Sequence, residues 1–373
     1  MKINKCEICG EKLIKNGKTA AGTQRWICKN CKSSSVKKYN SEIHDLEQFV
    51  SWLLSKKRLA DMPGTGRTFQ RKSKKFWSIW PLSPIVDEIH DVIFMDGIYL
   101  SKNVVILIAS STKHVLAWYL ARAENSSSWG SLMSRIAPPK MVLTDGGTGF
   151  RKACKNVWPS VAVQRCLFHV FCQIKRYTTS RPKLEAGKEL YALARALLHV
   201  DTLKKAEVWV EAYLKWSTKW DSFLNEKTVF EDGRREYTHE RLRSARSSLS
   251  YLINSGTLFT FLNPLINKGK KFPSTNNRIE GGVNAQLREL LRNHKGLSTL
   301  KRAKACFWWC YMHTECPASY TQILKSMPTD ESITKEYESL LYNERNFDSV
   351  PQWGSAIVWG EFHHSDPWRH DWD

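Results

Sequence analysis

Long apolar runs are missing from this sequence. No window of about 18 residues is both apolar and free of charge, so no membrane-spanning helix and no membrane partner are expected. The opening MKINKCEICG has no apolar stretch of the signal-peptide kind, and the expected location is the cytoplasm. In that reducing compartment the 10 Cys would be free thiols or metal ligands rather than disulfides. Negative charge is scarce too: 36 Asp and Glu stand against 57 Lys and Arg, a net charge of +21. This balance points to a polyanion, because cations near phosphates release condensed counterions on binding. The plain alternative is a basic protein of the ribosome-associated kind. Apolar material is not lacking: 42% of residues are hydrophobic, with 16 Trp and 15 Phe, which excludes a disordered scaffold. The 373 residues allow two or three domains of roughly 100–200 residues.

Cys6 and Cys9 form one C-x-x-C and Cys28 and Cys31 another, with 18 residues between Cys9 and Cys28. Four thiolates at this spacing suit one tetrahedral zinc, a structural one because all four positions are filled. Gly10 suits the positive φ of such a turn, and residues 23–28 read as a strand entering the second pair. Four unconnected thiols are the alternative. A unit this small would fold only with its metal.

From residue 41 the pattern changes. Leu46, Phe49, Val50 and Leu53 recur at the spacing of an amphipathic helix, with Ser41 as its cap. Pro63, Gly64 and Gly66 interrupt it, and Thr68 is expected to cap a second helix, FQRKSKKFW. Arg67, Gln70, Arg71, Lys72, Lys74 and Lys75 make that element basic and DNA-reading in the manner of a helix-turn-helix, unless it is only a solvated basic helix.

DVIFMDGIYL, NVVILIASST and HVLAWYLARAE read as three strands, followed by a helix at 126–136, the strand MVLT, the helix FRKACKNV, and VAVQRCLFHVF as a strand running into a helix. This βββαβαβα order is that of an RNase H-like domain, in which acids on the first and fourth strands lie side by side; here they are Asp96 and Asp145. Asp96 interrupts an apolar strand, a costly place for a charge without a partner or metal. Gly97, Gly146 and Gly147 would leave room for an ion or phosphate. The alternative reading of Asp145 is the start of an Asp-Gly turn. Farther on, a helix near Asn277 would align Glu280, Asn284 and Arg288 on one face and Ile279, Val283, Gln286 and Leu290 on another. Gly281 and Gly282 cost about 1 kcal/mol each inside a helix and point to close approach by a strand or DNA. An ordinary surface glutamate is the other reading of Glu280.

FMDGIYL, VLTDGG, QRCLFHVF and NNRIEGGVNAQLR, in that order, resemble the Mutator-like group of bacterial insertion-sequence transposases over roughly residues 90–316. The resemblance implies a DDE triad of Asp96, Asp145 and Glu280 holding two Mg²⁺ (or Mn²⁺) ions. It implies cleavage and joining of DNA by in-line phosphoryl transfer, with Asn284 and Arg288 positioning the scissile phosphate. It also implies a C-x-x-H, matched by Cys166 and His169, which reads either as a buried structural pair or as an aid to the active site. The implied partners are double-stranded DNA, as terminal inverted repeats and target, and further copies of the chain as a homodimer or higher assembly; the implied setting is the bacterial nucleoid. The fold class expected is α/β: an RNase H-like core interrupted by an all-helical insertion and preceded by a zinc ribbon and helix-turn-helix. The segments expected are 1–40 (zinc ribbon), 41–85 (helix-turn-helix), 86–180 and 271–316 (the core in two parts), 181–270 (insertion) and 317–373 (tail). Rival readings are a non-catalytic DNA-binding regulator and another RNase H-like nuclease.

Arg234, Arg235, Arg241, Arg243 and Arg246 form a candidate basic patch, and residues 289–304 a second basic stretch expected to face DNA. Cys306, Cys310 and Cys316 read as buried helix residues. The tail holds Trp353, Trp359, Trp368 and Trp372, with docking against the core as the default expectation.

Overall fold

Three short antiparallel strands carry the N-terminal cysteines: β1 (Leu13–Lys18), β2 (Gln24–Cys28) and β3 (Ser34–Val36). The computed structural model describes residues 5–342 apart from 7, 37–40, 63 and 65, so the four tryptophans of the tail lie outside the described residues. One compact unit takes the chain up to Phe76 together with Ala318–Ser326; the other runs from Trp77 to Pro317 and resumes at Met327.

In the first unit, Cys6, Leu13 and Cys28 are buried with Trp26 packed on them, a core too small to be stable alone. Helix α1 (Ser41–Leu53) and helix α2 (Gly66–Ser73) flank a 3₁₀ turn at Leu59–Asp61. Aromatic contacts join them: Trp52 meets Phe69 edge-on at 5.4 Å and Phe49 meets Phe76 at 5.8 Å. Thr68 is not the cap of the second helix, which begins two residues earlier; the helix then tightens to 3₁₀ over Lys74–Ser78.

The second unit is built on a five-stranded mixed sheet. Its strands are β4 (Val92–Ser101), β5 (Val104–Ser110), β6 (Val115–Ala121), β7 (Met141–Thr144) and β8 (Ala162–Arg165), in the order β6-β5-β4-β7-β8. The first three pair antiparallel, whereas β7 runs parallel to both β4 and β8. Every residue of β5 and β6 is buried, because the sheet is covered on both faces. Helix α3 (Ser126–Met133), capped by Asn125, packs against β5 and β6; α4 (Thr148–Val157) joins β7 to β8, and α5 (Leu167–Thr178) leaves β8.

The inserted segment holds α6 (Glu185–Leu197), α7 (Leu203–Lys219), α8 (Asp221–Leu224) and α9 (Glu240–Asn254). It is not all-helical. Strands β9 (Lys227–Val229) and β10 (Arg235–Tyr237) form a hairpin between α8 and α9, closed by Asp232-Gly233 with Gly233 at φ +81°. The tryptophans here are core: the indole N–H of Trp209 donates to the Leu193 carbonyl and that of Trp216 to the Ala186 carbonyl. Much of the expected arginine patch is tied down internally. Arg243 lies 3.7 Å over the Tyr237 ring, Arg246 pairs with Asp221 at 2.7 Å, and Arg234 pairs with Asp232.

After α10 (Pro264–Asn267) come a π-helical turn (Arg278–Asn284), α11 (Ala285–Asn293) and α12 (Thr299–Met312). Helix α12 packs against β4 and β6, with Phe307 and Tyr311 meeting the Trp118 ring edge-on. Cys306 and Cys310 are buried there as expected, but Cys316 is exposed. The basic stretch ends differently from expectation. Lys304 is buried, donating to both Asp330 oxygens at 2.6 Å and to the Trp77 carbonyl, and burial pushes its ammonium down to about 8 despite Asp330. Asp330→Ala, which strands that charge, is expected to cost about 3 kcal/mol in chemical denaturation, whereas replacing both partners together, Lys304→Met with Asp330→Leu, should be close to neutral.

Candidate active site

Asp96 and Asp145 are neighbours by strand register. Met95 pairs with Thr144 across the parallel β4–β7 ladder, so the next residue of each chain continues the same row. Asp96 accepts from its neighbour Gly97 N–H at 2.9 Å and from the Asn284 side-chain amide at 2.8 Å. Asp145 accepts a longer bond from Gly147 N–H at 3.4 Å. Burial, then the charge of Asp145, pushes the Asp96 carboxyl up to about 7; Glu280 and Glu124 add to the effect. The charges of Asp145 and Glu280 are therefore felt at Asp96.

Glu280 is brought back by the far side of the insertion. Buried Gln164 on β8 donates to the Leu258 carbonyl and accepts from Phe261 N–H, while Thr260 donates to the Val163 carbonyl. Continuing along this edge, Arg165 N–H donates to Thr257, Leu167 N–H to Ser274, and Asn276 N–H to the Cys166 sulfur at 3.1 Å. The π turn then packs on β4. It differs from the regular helix expected: Ala285 N–H bonds the Glu280 carbonyl, an i→i+5 closure. The wider turn changes which residues point inward. Asn284 is buried on Asp96, Leu287 rather than Gln286 continues the apolar face, and Arg288 is exposed.

The site contains residues that spacing did not reveal. Glu124, just beyond β6, is pushed up to about 7 by burial and by Asp145. Its carboxylate would lie 2.6 Å from a Cβ at position 97, so Gly97 accommodates Glu124 rather than an ion. Gly146, at φ +91°, likewise accommodates Arg165, whose guanidinium would overlap any Cβ there. Position 147 is open. Gly281 also faces open space, and a Cβ at Gly282 would meet only the Arg278 side chain, so neither is approached by a strand. The sole sequence signal for Glu124 was an acid ending an apolar strand one place before a helix cap. A cavity of about 460 Å³ opens beside Asp145, lined among others by Thr144, Gly146, Arg151, Trp158, Arg165 and Tyr251.

Cys166 and His169 do not form a simple buried pair. Cys166 is buried, but His169 is partly exposed, with Nδ1 at 3.4 Å from Glu280 Oε1. Those two atoms are not aligned as a hydrogen bond and neither has another partner; Asn284 Oδ1 and Arg165 Nη1 are also unbonded. Unsatisfied groups so concentrated mark a place where a ligand, ion or water belongs.

Asp96→Asn tests the electrostatics directly. The folded carboxyl titrates near 7 against an ordinary 3.8, so its charge destabilises the fold progressively from about pH 4 and fully above pH 7. The amide should raise the stability of the metal-free protein by roughly 2–4 kcal/mol at pH 8 and by little at pH 4, as thermal melts would show.

In the first unit the four cysteine sulfurs converge: Cys6 and Cys31 lie 3.6 Å apart, Cys9 and Cys28 3.4 Å, and all four lie within 4.8 Å of one another. These are the edges of a tetrahedron with metal–sulfur bonds of about 2.3 Å, so the set fits one zinc ion. Gly10 takes the positive φ expected of it. Arg67, Gln70, Arg71, Lys72, Lys74 and Lys75 are all exposed, but Lys72 pairs with Asp45 at 3.4 Å and Lys75 with Glu42 at 2.7 Å.

Residues 92–173, spanning Asp96, Asp145, Cys166 and His169, match the family model of the MULE transposase domain. Three curated relatives agree with it. The chain is 26% identical over 167 residues to a probable transposase for an insertion sequence element from Corynebacterium diphtheriae, covering 37% of this chain and 48% of the relative. It is 26% identical over 148 residues to the IS905 transposase of Lactococcus lactis, covering 35% and 37%. To the IS6120 transposase of Mycolicibacterium smegmatis it is 27% identical over 134 residues, covering 34% and 40%. The resemblance to a Mutator-like transposase family is thus borne out, although the chain spans less than half the length of each relative it matches. No helix among the described residues is long and apolar enough to cross a membrane.

Proposed function

We propose that this chain is the transposase of an insertion sequence, cutting DNA at the element's ends and joining the ends to a target. The observation that carries the reading is the convergence at Asp96: Asp145 in register on the parallel neighbour strand, and Glu280 and Asn284 returned across a long insertion. Three antiparallel strands followed by two parallel ones support an RNase H-like core. The four-cysteine sheet supports a zinc ribbon, and α1–α2 a helix-turn-helix.

Asp96, Asp145 and Glu280 would hold two Mg²⁺ ions; hard carboxylate oxygens suit that metal, and the unbonded Glu280 Oε1 is free to take part. Bound there, the pair supplies an activated water or 3′-hydroxyl and stabilises the leaving oxygen. The chain's own residues do the positioning. Asn284 and Gly97 N–H fix the Asp96 carboxylate. Arg165, with Nη1 unbonded, is available to a phosphate beside Asp145. Arg288, exposed farther along α11, meets incoming DNA rather than the acids. The partners would be double-stranded terminal repeats and target DNA, with two copies of the chain to hold two ends.

The test is incubation with end-containing duplex DNA in Mg²⁺ or in EDTA. Mg²⁺-dependent nicks at the ends together with joined products are expected. Nicks without joining would indicate a nuclease, and binding without nicks a regulator.

A further inference from the structure

We infer that Cys166, His169 and Glu280 form a separate site for a soft divalent cation of the zinc kind, overlapping the proposed catalytic site through Glu280. Among the described residues these three and the four N-terminal cysteines are the only groups of three or more His, Cys, Asp and Glu whose ligand atoms all lie within 4.8 Å of one another. Bonds of about 2.0–2.3 Å to N, O and S give tetrahedral edges of roughly 3.3–3.8 Å, and His169 Nδ1 to Glu280 Oε1 is 3.4 Å. Both atoms are buried without a hydrogen-bond partner, as ligands awaiting an ion would be.

The surroundings agree. Asn276 N–H bonds the Cys166 sulfur, the contact that supports a thiolate ligand from behind. The side chain of Asn276, the residue whose N–H meets that sulfur, is itself fully buried with neither amide atom bonded. His169 and Glu280 keep 26% and 29% of their side-chain surface exposed, so an ion can enter from that side. A sulfur ligand excludes Mg²⁺ and selects zinc-like ions. Binding replaces the thiol proton of Cys166, which leaves to solvent, and requires no other covalent change. An ion held here would occupy Glu280 and so oppose Mg²⁺-dependent cleavage, a consequence that rests on the proposed function; the site itself does not.

Zinc content of the full chain after equilibration with micromolar Zn²⁺ and gel filtration decides the matter. Two equivalents are expected in the unaltered protein, one in the cysteine cluster and one here, falling to one in Cys166→Ser and in His169→Asn. The histidine variant is the safer probe, because its side chain is partly exposed and its loss leaves the buried sulfur in place. Cobalt in place of zinc should lose the corresponding share of its sulfur charge-transfer band in Cys166→Ser. A single equivalent in the unaltered protein, or two in both variants, overturns the site. Two equivalents in a protein that never cleaves DNA would uphold the site and overturn the transposase reading instead. Where cleavage is seen, added zinc should suppress it at least tenfold in the unaltered protein.

Discussion

Asp145→Asn, Asp96→Asn and Glu280→Gln should each reduce strand cleavage at least a thousandfold, with binding of end DNA changed only a few-fold. A thousandfold corresponds to about 4 kcal/mol of transition-state stabilisation, a reasonable share for one anionic ligand of a metal pair that must carry the charge of both attacking and leaving oxygens. Cleavage and gel-shift assays on the same preparations separate the two effects. The Asp96 variant adds a signature that a merely misfolded protein cannot give, since it should be more stable than its parent at pH 8 while inactive. Wild-type cleavage by any of the three would remove that acid from the proposed triad. Glu124→Gln should behave differently: it removes a negative charge that raises Asp96, so the pH at which Mg²⁺ begins to support cleavage should move down rather than activity vanish.

Removal of zinc from the site proposed at the four N-terminal cysteines should be as drastic on the other unit. Cys6, Leu13, Cys28 and Trp26 are nearly all the apolar cover that the three-stranded sheet has. Zinc in comparable small units contributes roughly 10–16 kcal/mol of apparent binding free energy, which is folding free energy. Chelation or Cys28→Ser should therefore abolish amide protection over residues 13–36 and weaken binding to element ends at least a hundredfold. In Cys28→Ser, which leaves Cys166, His169 and Glu280 in place, the thermal transition of the sheet carrying Asp96 should stay where it was. Protection that survives complete removal of zinc would show that the strands hold without it.

Much of the site was readable because it follows local rules. The two cysteine pairs announce themselves by spacing. The alternation of apolar strands with the serine-rich helix start at 126 and the Asp-Gly pair fixed the order of the sheet elements, and hence which two acids could meet. The misses have a common cause, which is that they depend on partners distant along the chain. Lys304 ends a basic stretch and looks solvent-facing, yet its ammonium is buried against Asp330 and the Trp77 carbonyl. Glu124 is one acid among 36, and only the fold shows it folding over Gly97 beside Asp145. Gln164 has no motif, but its buried amide ties β8 to the 3₁₀ turn at Thr260–Leu262, on the segment that leads back to Glu280. The arginines of α9 read as a patch in the sequence, but Arg246 and Arg243 have their partners in Asp221 of α8 and Tyr237 of β10. Helical periodicity, likewise, could not register a hairpin as short as β9–β10.

The π turn beneath Glu280 is, in sequence terms, a regular helix carrying one surplus residue. Loss of a single codon at Gly281 or Gly282, where no neighbouring backbone or core side chain would be disturbed, would restore ordinary pitch and bring Glu280 and Asn284 from four residues apart to three. Residues three apart on a regular helix still share a face, so Glu280 and Asn284 could both remain turned to the same strand on a better-formed helix.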